Sequence, residues 1–280
     1  MIVAMKKLLV TGAAGFIGRH TVAALARSDV QVTAVVRKGS EDRATRLPGV
    51  VRVVSSSDVF AESASWWKQQ CADIDAVLHL AWYTKPIDYL VSERNQHCAS
   101  GTLQLADGVV RAGVRRFVGI GTCLEYEQTG ARLTTSTRLR PVGEYAESKA
   151  ATFLRLGKLF DKHSVSFCWC RLFYLFGEGE HESRLVPYLH RQLREGREVR
   201  LSNPEQVLDF MDVGDVAEKL ASIVLSETAG EFNVCSGHGT SVRDLSLRVA
   251  REYGRESLIV DADEKPDSPR PAIVGQPSPL

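Results

Sequence analysis

Lys7-Leu8-Leu9-Val10-Thr11-Gly12-Ala13-Ala14-Gly15-Phe16-Ile17-Gly18 opens as a short apolar run and closes on glycines spaced three apart. Apolar residues then recur at helical spacing from Phe16 to Ala26, so the glycines stand where a first strand becomes a first helix. Without side chains at Gly12, Gly15 and Gly18, a pyrophosphate can approach the backbone N–H groups at the positive end of the helix dipole, where Phe16 and Ile17 begin the helix. A glycine triplet alone is equally a structural turn. The strand before it and the helix after it point to dinucleotide binding.

The alternation continues outward. Val30 to Val36 and Val50 to Val54 read as strands, the stretch around Trp66 to Cys71 is helix-compatible, and Ala76 to Ala81 is a buried-strand run. The spacing predicts a long helix from Tyr89 to Ala112 ended by Gly113, a strand from Arg116 to Ile120, a second long helix from Gly143 to His163, and a strand from Val165 to Phe173. Such an order implies an α/β fold, a doubly wound parallel Rossmann sheet covered on both faces. Composition shifts after Phe176, through a charged glycine-bearing segment, a helix from Arg184 to Glu195, the loop Leu201 to Gln206 and a proline-rich tail from Asp261. The expected division is a dinucleotide-binding domain over 1–174 and a smaller α/β lobe over 175–280, partly interleaved with it.

The 280 residues are 44% hydrophobic and 25% charged, which excludes bulk disorder, fibres and disulfide-knot scaffolds. With 35 basic against 34 acidic residues, no whole-chain attraction to nucleic acid or to an acidic membrane exists. Lys6 and Lys7 interrupt the N-terminal apolar run, so it does not read as a secretory signal, and no segment approaches the roughly 18 apolar residues that cross a bilayer. Cys71, Cys98, Cys123, Cys168, Cys170 and Cys235 lack the paired spacing of a zinc site or a secreted framework; a cytoplasmic protein with reduced thiols and no metal is expected.

The second strand ends in Val36-Arg37-Lys38, where NAD enzymes usually carry a carboxylate for the ribose 2′-hydroxyl. A guanidinium instead suits a 2′-phosphate, with Arg19 closing the other side, so NADPH/NADP+ is expected; the plain alternative for Arg37 is a solvated charge after a strand. Asp58 follows the third strand, placed either to accept from the adenine amino group or to cap a helix. Tyr145-Ala146-Glu147-Ser148-Lys149 puts a phenol and an ammonium one turn apart on a helix face, and a nearby cation lowers a phenol whose reference pKa is about 10. Thr122 follows the strand that starts at Arg116, at the carboxyl edge of the sheet where ligands bind. His79 reads as a structural histidine, Trp66 and Trp67 as packing, and Trp82 either as a pocket wall or as packing.

Together these residues resemble the extended short-chain dehydrogenase/reductase family of sugar-nucleotide epimerases, dehydratases and reductases. The resemblance rests on Thr11 to Gly18, His79-Leu80-Ala81-Trp82, Asn95 with Gly101 and Thr102, Thr122, Tyr145 with Lys149, Arg171 before Gly177, and Asp209-Phe210-Met211-Asp212-Val213-Gly214-Asp215-Val216-Ala217. It implies a coenzyme site that includes Leu80 and Ala81, a C-terminal lobe for a nucleoside diphosphate sugar, and a homodimer through the two long helices. It makes Tyr145 the acid/base, Lys149 the ligand of the nicotinamide ribose and tuner of Tyr145, and Thr122 the hydrogen-bond donor to the reacting oxygen. Trp82, Asn95, Tyr174, Arg184 and Arg270 fall at substrate-binding positions.

Dehydratases that look like this carry acidic residues directly after the catalytic hydroxyl, and here Cys123 and Leu124 stand there; Glu125 would need re-aiming to substitute. The chain is similar to 4-ketoreductases acting on a nucleoside diphosphate 4-keto-6-deoxyhexose. C4 epimerisation is the alternative reaction, and a coenzyme-sensing or RNA-associated binding protein on the same scaffold is the alternative of another class, one that typically lacks the Tyr and Lys. Relatives usually have Arg where Leu208 stands, before Asp209-Phe210, leaving Arg184, Arg200 or Arg270 to meet the diphosphate.

Overall fold

The computed structural model describes residues 6–262 and 270–279. The chain begins β1 (Lys7–Thr11), α1 (Phe16–Leu25), β2 (Gln31–Arg37), α2 (Glu41–Thr45), β3 (Val50–Ser56), α3 (Ala64–Gln70), β4 (Ala76–His79), α4 (Arg94–Ala112), β5 (Arg116–Thr122), α5 (Glu144–Lys162) and β6 (Ser166–Leu172). It continues β7 (Tyr174–Phe176), α6 (Leu185–Arg194), β8 (Val199–Leu201), β9 (Val207–Asp212), α7 (Val213–Leu225), β10 (Gly230–Val234), β11 (Gly239–Ser241), α8 (Val242–Arg251) and β12 (Ile259–Asp261).

Seven strands form the main sheet in the order β10-β6-β5-β4-β1-β2-β3, every pair parallel. A parallel sheet is covered on both faces, which is why β4 and β5 read as continuous buried runs rather than as alternations. The two-residue period of each strand divides the core. Leu8 and Val10 join Val22, Val118, Val216 and Leu220 on the side of α1 and α7, whereas Leu9 joins Trp67, Leu105, Phe117, Phe160 and Trp169 under α3, α4 and α5. All six cysteines are buried free thiols.

Beyond residue 174 the chain serves both layers. α7 packs on α1 and β10 completes the main sheet beside β6, while β7, β9 and β11 form a three-stranded sheet and β8 pairs with β12. Asp209 ties this lobe down: fully buried, it accepts from the N–H groups of Ser236 (2.8 Å), Gly237 (2.9 Å) and Gly275 (3.1 Å) and from the Ser236 hydroxyl (2.6 Å). Among the described residues no helix is long and apolar enough to cross a membrane.

Three expected bounds shift. The long helix does not start at Tyr89 but at Arg94, because the Asn95 side chain takes the Tyr89 and Ser92 carbonyls that a longer helix would use. The fourth strand stops at His79, and the fifth runs on to Thr122. Part of the proline-rich tail, residues 263–269 and 280, lies outside the described residues; Ile273 bridges to Leu208 and Gly275 to Leu133.

Candidate functional site

The glycine turn folds into a cradle. Gly12 has a φ of +70°, and a Cβ there would lie 3.0 Å from the Ala81 nitrogen; at Gly18 it would come within 2.1 Å of the Gly12 carbonyl oxygen. Leu80 and Ala81 line the same turn, their N–H groups donating to the Thr11 carbonyl and hydroxyl at 3.2 Å each. Gly15 is the N-cap of α1, with no side-chain cap and no acid in the first turn, so the N–H groups of Phe16, Ile17 and Gly18 are left by the helix itself to an anion. These residues fit the pyrophosphate of a dinucleotide.

Arg37 ends β2 exposed, and among the described residues its guanidinium has no hydrogen-bond or ion-pair partner. Arg19, expected to close on the same phosphate, is turned elsewhere: its Nη2 donates to the Glu178 carbonyl, and His20 Nε2 lies 3.0 Å from that oxygen. Asp58 accepts from the Phe60 N–H (3.0 Å) and pairs with His97 (2.8 Å), beside a depression of about 310 Å³ lined also by Lys38, Ser57 and Glu62. Helix α3 takes its cap from Ser63, not from Asp58.

At the carboxyl edge of the sheet, Thr122 is 7% exposed; its Oγ1 accepts from the Leu124 N–H (3.3 Å), which leaves the hydroxyl proton to donate elsewhere. Tyr145 and Lys149 do share one face of α5. The ammonium, however, donates to the Ile120 carbonyl (2.7 Å) and sits 3.7 Å from the centroid of the Trp82 ring, against 5.9 Å from that of Tyr145. Burial raises the Tyr145 phenol well above its ordinary value, with Tyr89, Glu125 and Cys123 adding to the rise and Arg184 opposing it. Burial thus outweighs the lowering expected from Lys149, whose ammonium lies nearer the Trp82 indole than the phenol.

Tyr89, expected at the start of a helix, instead packs edge-on against Tyr145 with ring centroids 5.0 Å apart. Arg184 lies over the Tyr89 ring, Cζ 4.9 Å from its centroid. Tyr174, half-buried, packs against Phe210 at 5.9 Å, and Arg184 and Arg270 both act on its phenol, which burial pushes up. Tyr145, Tyr89, Arg184, Tyr174 and Arg270 thus share one electrostatic neighbourhood. Asn95 does not join it as a ligand: fully buried, it donates to the Tyr89 (2.6 Å) and Ser92 (2.9 Å) carbonyls and accepts from Trp82 Nε1 (2.8 Å), so its expected substrate contact is replaced by a structural one. Arg200 pairs with Glu198 at 2.7 Å, and Leu208 is buried in the lobe.

Glu125 shows why nothing after Thr122 supplies a second acid. Its side chain turns inward, accepting from the Thr122 N–H (2.8 Å) and Trp169 Nε1 (3.1 Å), and binds Arg171 Nε at 2.7 Å with both side chains fully buried. Cys123 is a buried thiol that burial keeps protonated.

His79 is structural. Nδ1 is 2.8 Å from the Thr11 hydroxyl and Nε2 2.9 Å from that of Thr102, whose own proton goes to the Cys98 carbonyl; the ring therefore donates from Nε2 and accepts at Nδ1. Burial, with Lys149 second, pushes it down to about 3. The unfolded chain protonates this residue below about pH 6.5 while the folded one does not, so stability rises with pH between the two values. Between pH 6.5 and 5 the group is expected to remove about 1.5 kcal/mol, read as urea midpoints at both pH values. A His79→Gln variant with an unaltered pH slope would clear this residue as its source.

The model of the NAD dependent epimerase/dehydratase family matches residues 8–235. The chain belongs to this family. Among relatives, a dTDP-6-deoxy-L-talose 4-dehydrogenase (NAD(+)) from Aggregatibacter actinomycetemcomitans is 25% identical over 244 residues, 84% of this chain and 86% of the relative. A CDP-abequose synthase from Salmonella typhimurium is 24% identical over 254 residues, 85% of this chain and 77% of the relative. In three dimensions, a UDP-N-acetylglucosamine 4-epimerase from Methanobrevibacter ruminantium M1, solved with UDP-N-acetylmuramic acid, superimposes with a TM-score of 0.85 at 20% identity, covering 99% of this chain and 91% of its own. That likeness places the chain in the family's fold: a Rossmann sheet, here of seven parallel strands, with a lobe beside its carboxyl edge. Members of the epimerase/dehydratase family use nicotinamide coenzymes and act on sugar nucleotides.

Proposed function

We propose that the protein reduces the C4 ketone of a nucleoside diphosphate 4-keto-6-deoxyhexose with NADPH. The observation that carries this reading is the state of the acids around Thr122. Glu125 is committed to Arg171 and turned from the cleft, so no carboxylate follows Thr122 to run a dehydration, whereas Tyr145, raised by burial, holds its proton at neutral pH and can give it up once. The relative named for oxidation of a dTDP-6-deoxysugar at C4 supports the position of the reacting carbon.

When bound, the nicotinamide supplies the hydride that the ketone carbon takes up. Tyr145 Oη supplies the proton to the ketone oxygen, which balances the addition and leaves a hydroxyl. Thr122 donates its hydroxyl proton to the same oxygen, lowering the cost of the charge that develops there. Lys149 serves the ribose and the phenol, and Arg184, Arg270 and Tyr174 hold the nucleotide sugar, with Leu208 contributing no charge. In this reading the enzyme is a cytoplasmic homodimer joined through α4 and α5.

The choice of NADPH rests on Arg37, a guanidinium without a partner among the described residues, where a carboxylate would serve NADH. Arg37→Asp is expected to weaken NADPH about 10- to 100-fold, the worth of a charge-assisted phosphate contact, and NADH by far less. Fluorescence titration with both coenzymes measures this, and equal losses would refute the 2′-phosphate role.

C4 epimerisation is a second reading, favoured by the fold shared with a 4-epimerase and served by the same three side chains. Incubation with CDP-, dTDP- and GDP-linked 4-keto-6-deoxyhexoses separates the two. Reduction consumes one NADPH per product, with the new hydroxyl seen by NMR. The corresponding 4-hydroxy sugar nucleotides are incubated alongside: their inversion at C4 with no net change in coenzyme supports the epimerase, and tight coenzyme binding with neither product supports a sensor.

A further inference from the structure

Lys149 is a cation in an awkward place. It is 3% exposed, its single hydrogen bond goes to the Ile120 carbonyl, and among the described residues no ion pair joins it to a carboxylate. The groups that face it offer little charge. From β4, His79 is neutral; from α4, the Cys98 thiol is pushed by burial to about 11 and stays protonated; from α5, Tyr145 keeps its proton; and after β5, Glu125 favours the charged amine only from a distance, its carboxylate being bonded to Arg171. What lies against the ammonium is the face of Trp82, 3.7 Å from Nζ to the ring centroid, with Trp169 more distant at 5.9 Å. A desolvated ammonium over an indole is the strongest form of cation–π contact.

The indole is itself fixed. Its Nε1–H donates to Asn95 Oδ1 at 2.8 Å, and the same buried amide holds the Tyr89 carbonyl at 2.6 Å, setting the ring that packs on Tyr145. One side chain therefore orients both the aromatic face under the cation and the aromatic edge against the phenol.

We infer that Trp82 is a positioning residue whose indole face, clamped by Asn95, holds the Lys149 ammonium in its charged form beside Tyr145, where no carboxylate touches it. The inference rests on reading Lys149 as the cation that serves Tyr145, and it adds the group that keeps that cation charged. Burial pushes Lys149 down to about 7, so at neutral pH a modest stabilisation of the charged form decides how much of it is present.

The test follows the Lys149 amine directly, in the coenzyme-free protein labelled with ¹⁵N-lysine, its Nζ signal assigned by disappearance in Lys149→Met. Trp82→Leu removes the π face and is expected to lower the titration midpoint by about one pH unit or more. Trp82→Phe keeps a face and is expected to shift it by less than half as much. A folded Trp82→Leu protein that titrates where the parent does would overturn the inference. Should Trp82→Leu fail to fold, the unmutated chain grown on mono-, di- and trifluorinated tryptophan keeps the packing while draining the ring face of negative potential. The midpoint then falls stepwise with fluorine count, and a flat series overturns the inference. Because no turnover enters these readings, a flat titration leaves the proposed reaction standing, and a failed substrate panel leaves the titration standing.

Discussion

Tyr145→Phe removes turnover by about 10²- to 10⁴-fold, the usual worth of a positioned proton donor, and leaves coenzyme affinity within about twofold. The substitution deletes one oxygen and keeps the ring, so the edge-on contact with Tyr89 survives and the fold has no reason to change. The phenol is raised by burial, which makes it a reluctant base and a competent acid only toward an oxygen that is gaining negative charge as it reacts. Removing that proton leaves Thr122 alone to stabilise the oxygen, through one hydrogen bond. Single-turnover oxidation of NADPH with a 4-keto sugar nucleotide measures the effect, alongside a coenzyme titration of the same variant. Turnover within tenfold of the parent would remove Tyr145 from the chemistry.

Arg171→Met costs about 3–5 kcal/mol of folding stability, the penalty for leaving a buried charge without its partner. Arg171 and Glu125 are both fully buried at 2.7 Å, and the guanidinium also meets Tyr126 Oη at 3.1 Å and the Glu231 carboxylate. Burial already pushes the Glu125 acid upward against the pull of Arg171; without that pull the carboxyl takes up a proton or draws in water, and its bond to the Thr122 N–H is disturbed. Stability and turnover should therefore fall together. Adding Glu125→Gln to Arg171→Met is expected to recover part of the loss, since the amide still accepts from Thr122 and no bare charge remains. Urea unfolding at pH 7 of the parent, the single variant and the double variant measures both effects. A single-variant loss below about 1 kcal/mol would mean that the pair is far better solvated than its burial indicates.

The parts of the site that lie close together along the chain are legible in residue order. Gly12, Gly15 and Gly18 belong to one contiguous strand–turn–helix unit, so their spacing already specifies the cradle, and Tyr145 and Lys149 stand one helical turn apart on α5. Thr122 follows a strand whose apolar run marks it as central. Such features depend on the periods of helix and strand, which the succession of side chains sets.

The aim of the side chains depends on partners far along the chain. Arg184 reaches Tyr89 across 95 residues, and Arg171 reaches Glu125 across 46, because the β5–β6 register sets Thr122 opposite Leu172 and Gly121 opposite Arg171. Asn95 reads as a substrate ligand, and only its enclosure between the 82–92 loop and α4 reveals that both its amide hydrogens are spent and its oxygen already accepts from Trp82. Lys149 reads as the partner of Tyr145, yet the position of Trp82 just past the end of β4 decides which ring receives its charge. Residue order by itself determined the Rossmann alternation, the glycine cradle and the candidate proton donor. Tertiary structure alone decided that Glu125 is withheld from the cleft, that Tyr89 enters it and that Lys149 rests on an indole, since each depends on which distant strands and loops the burial of apolar surface brings side by side.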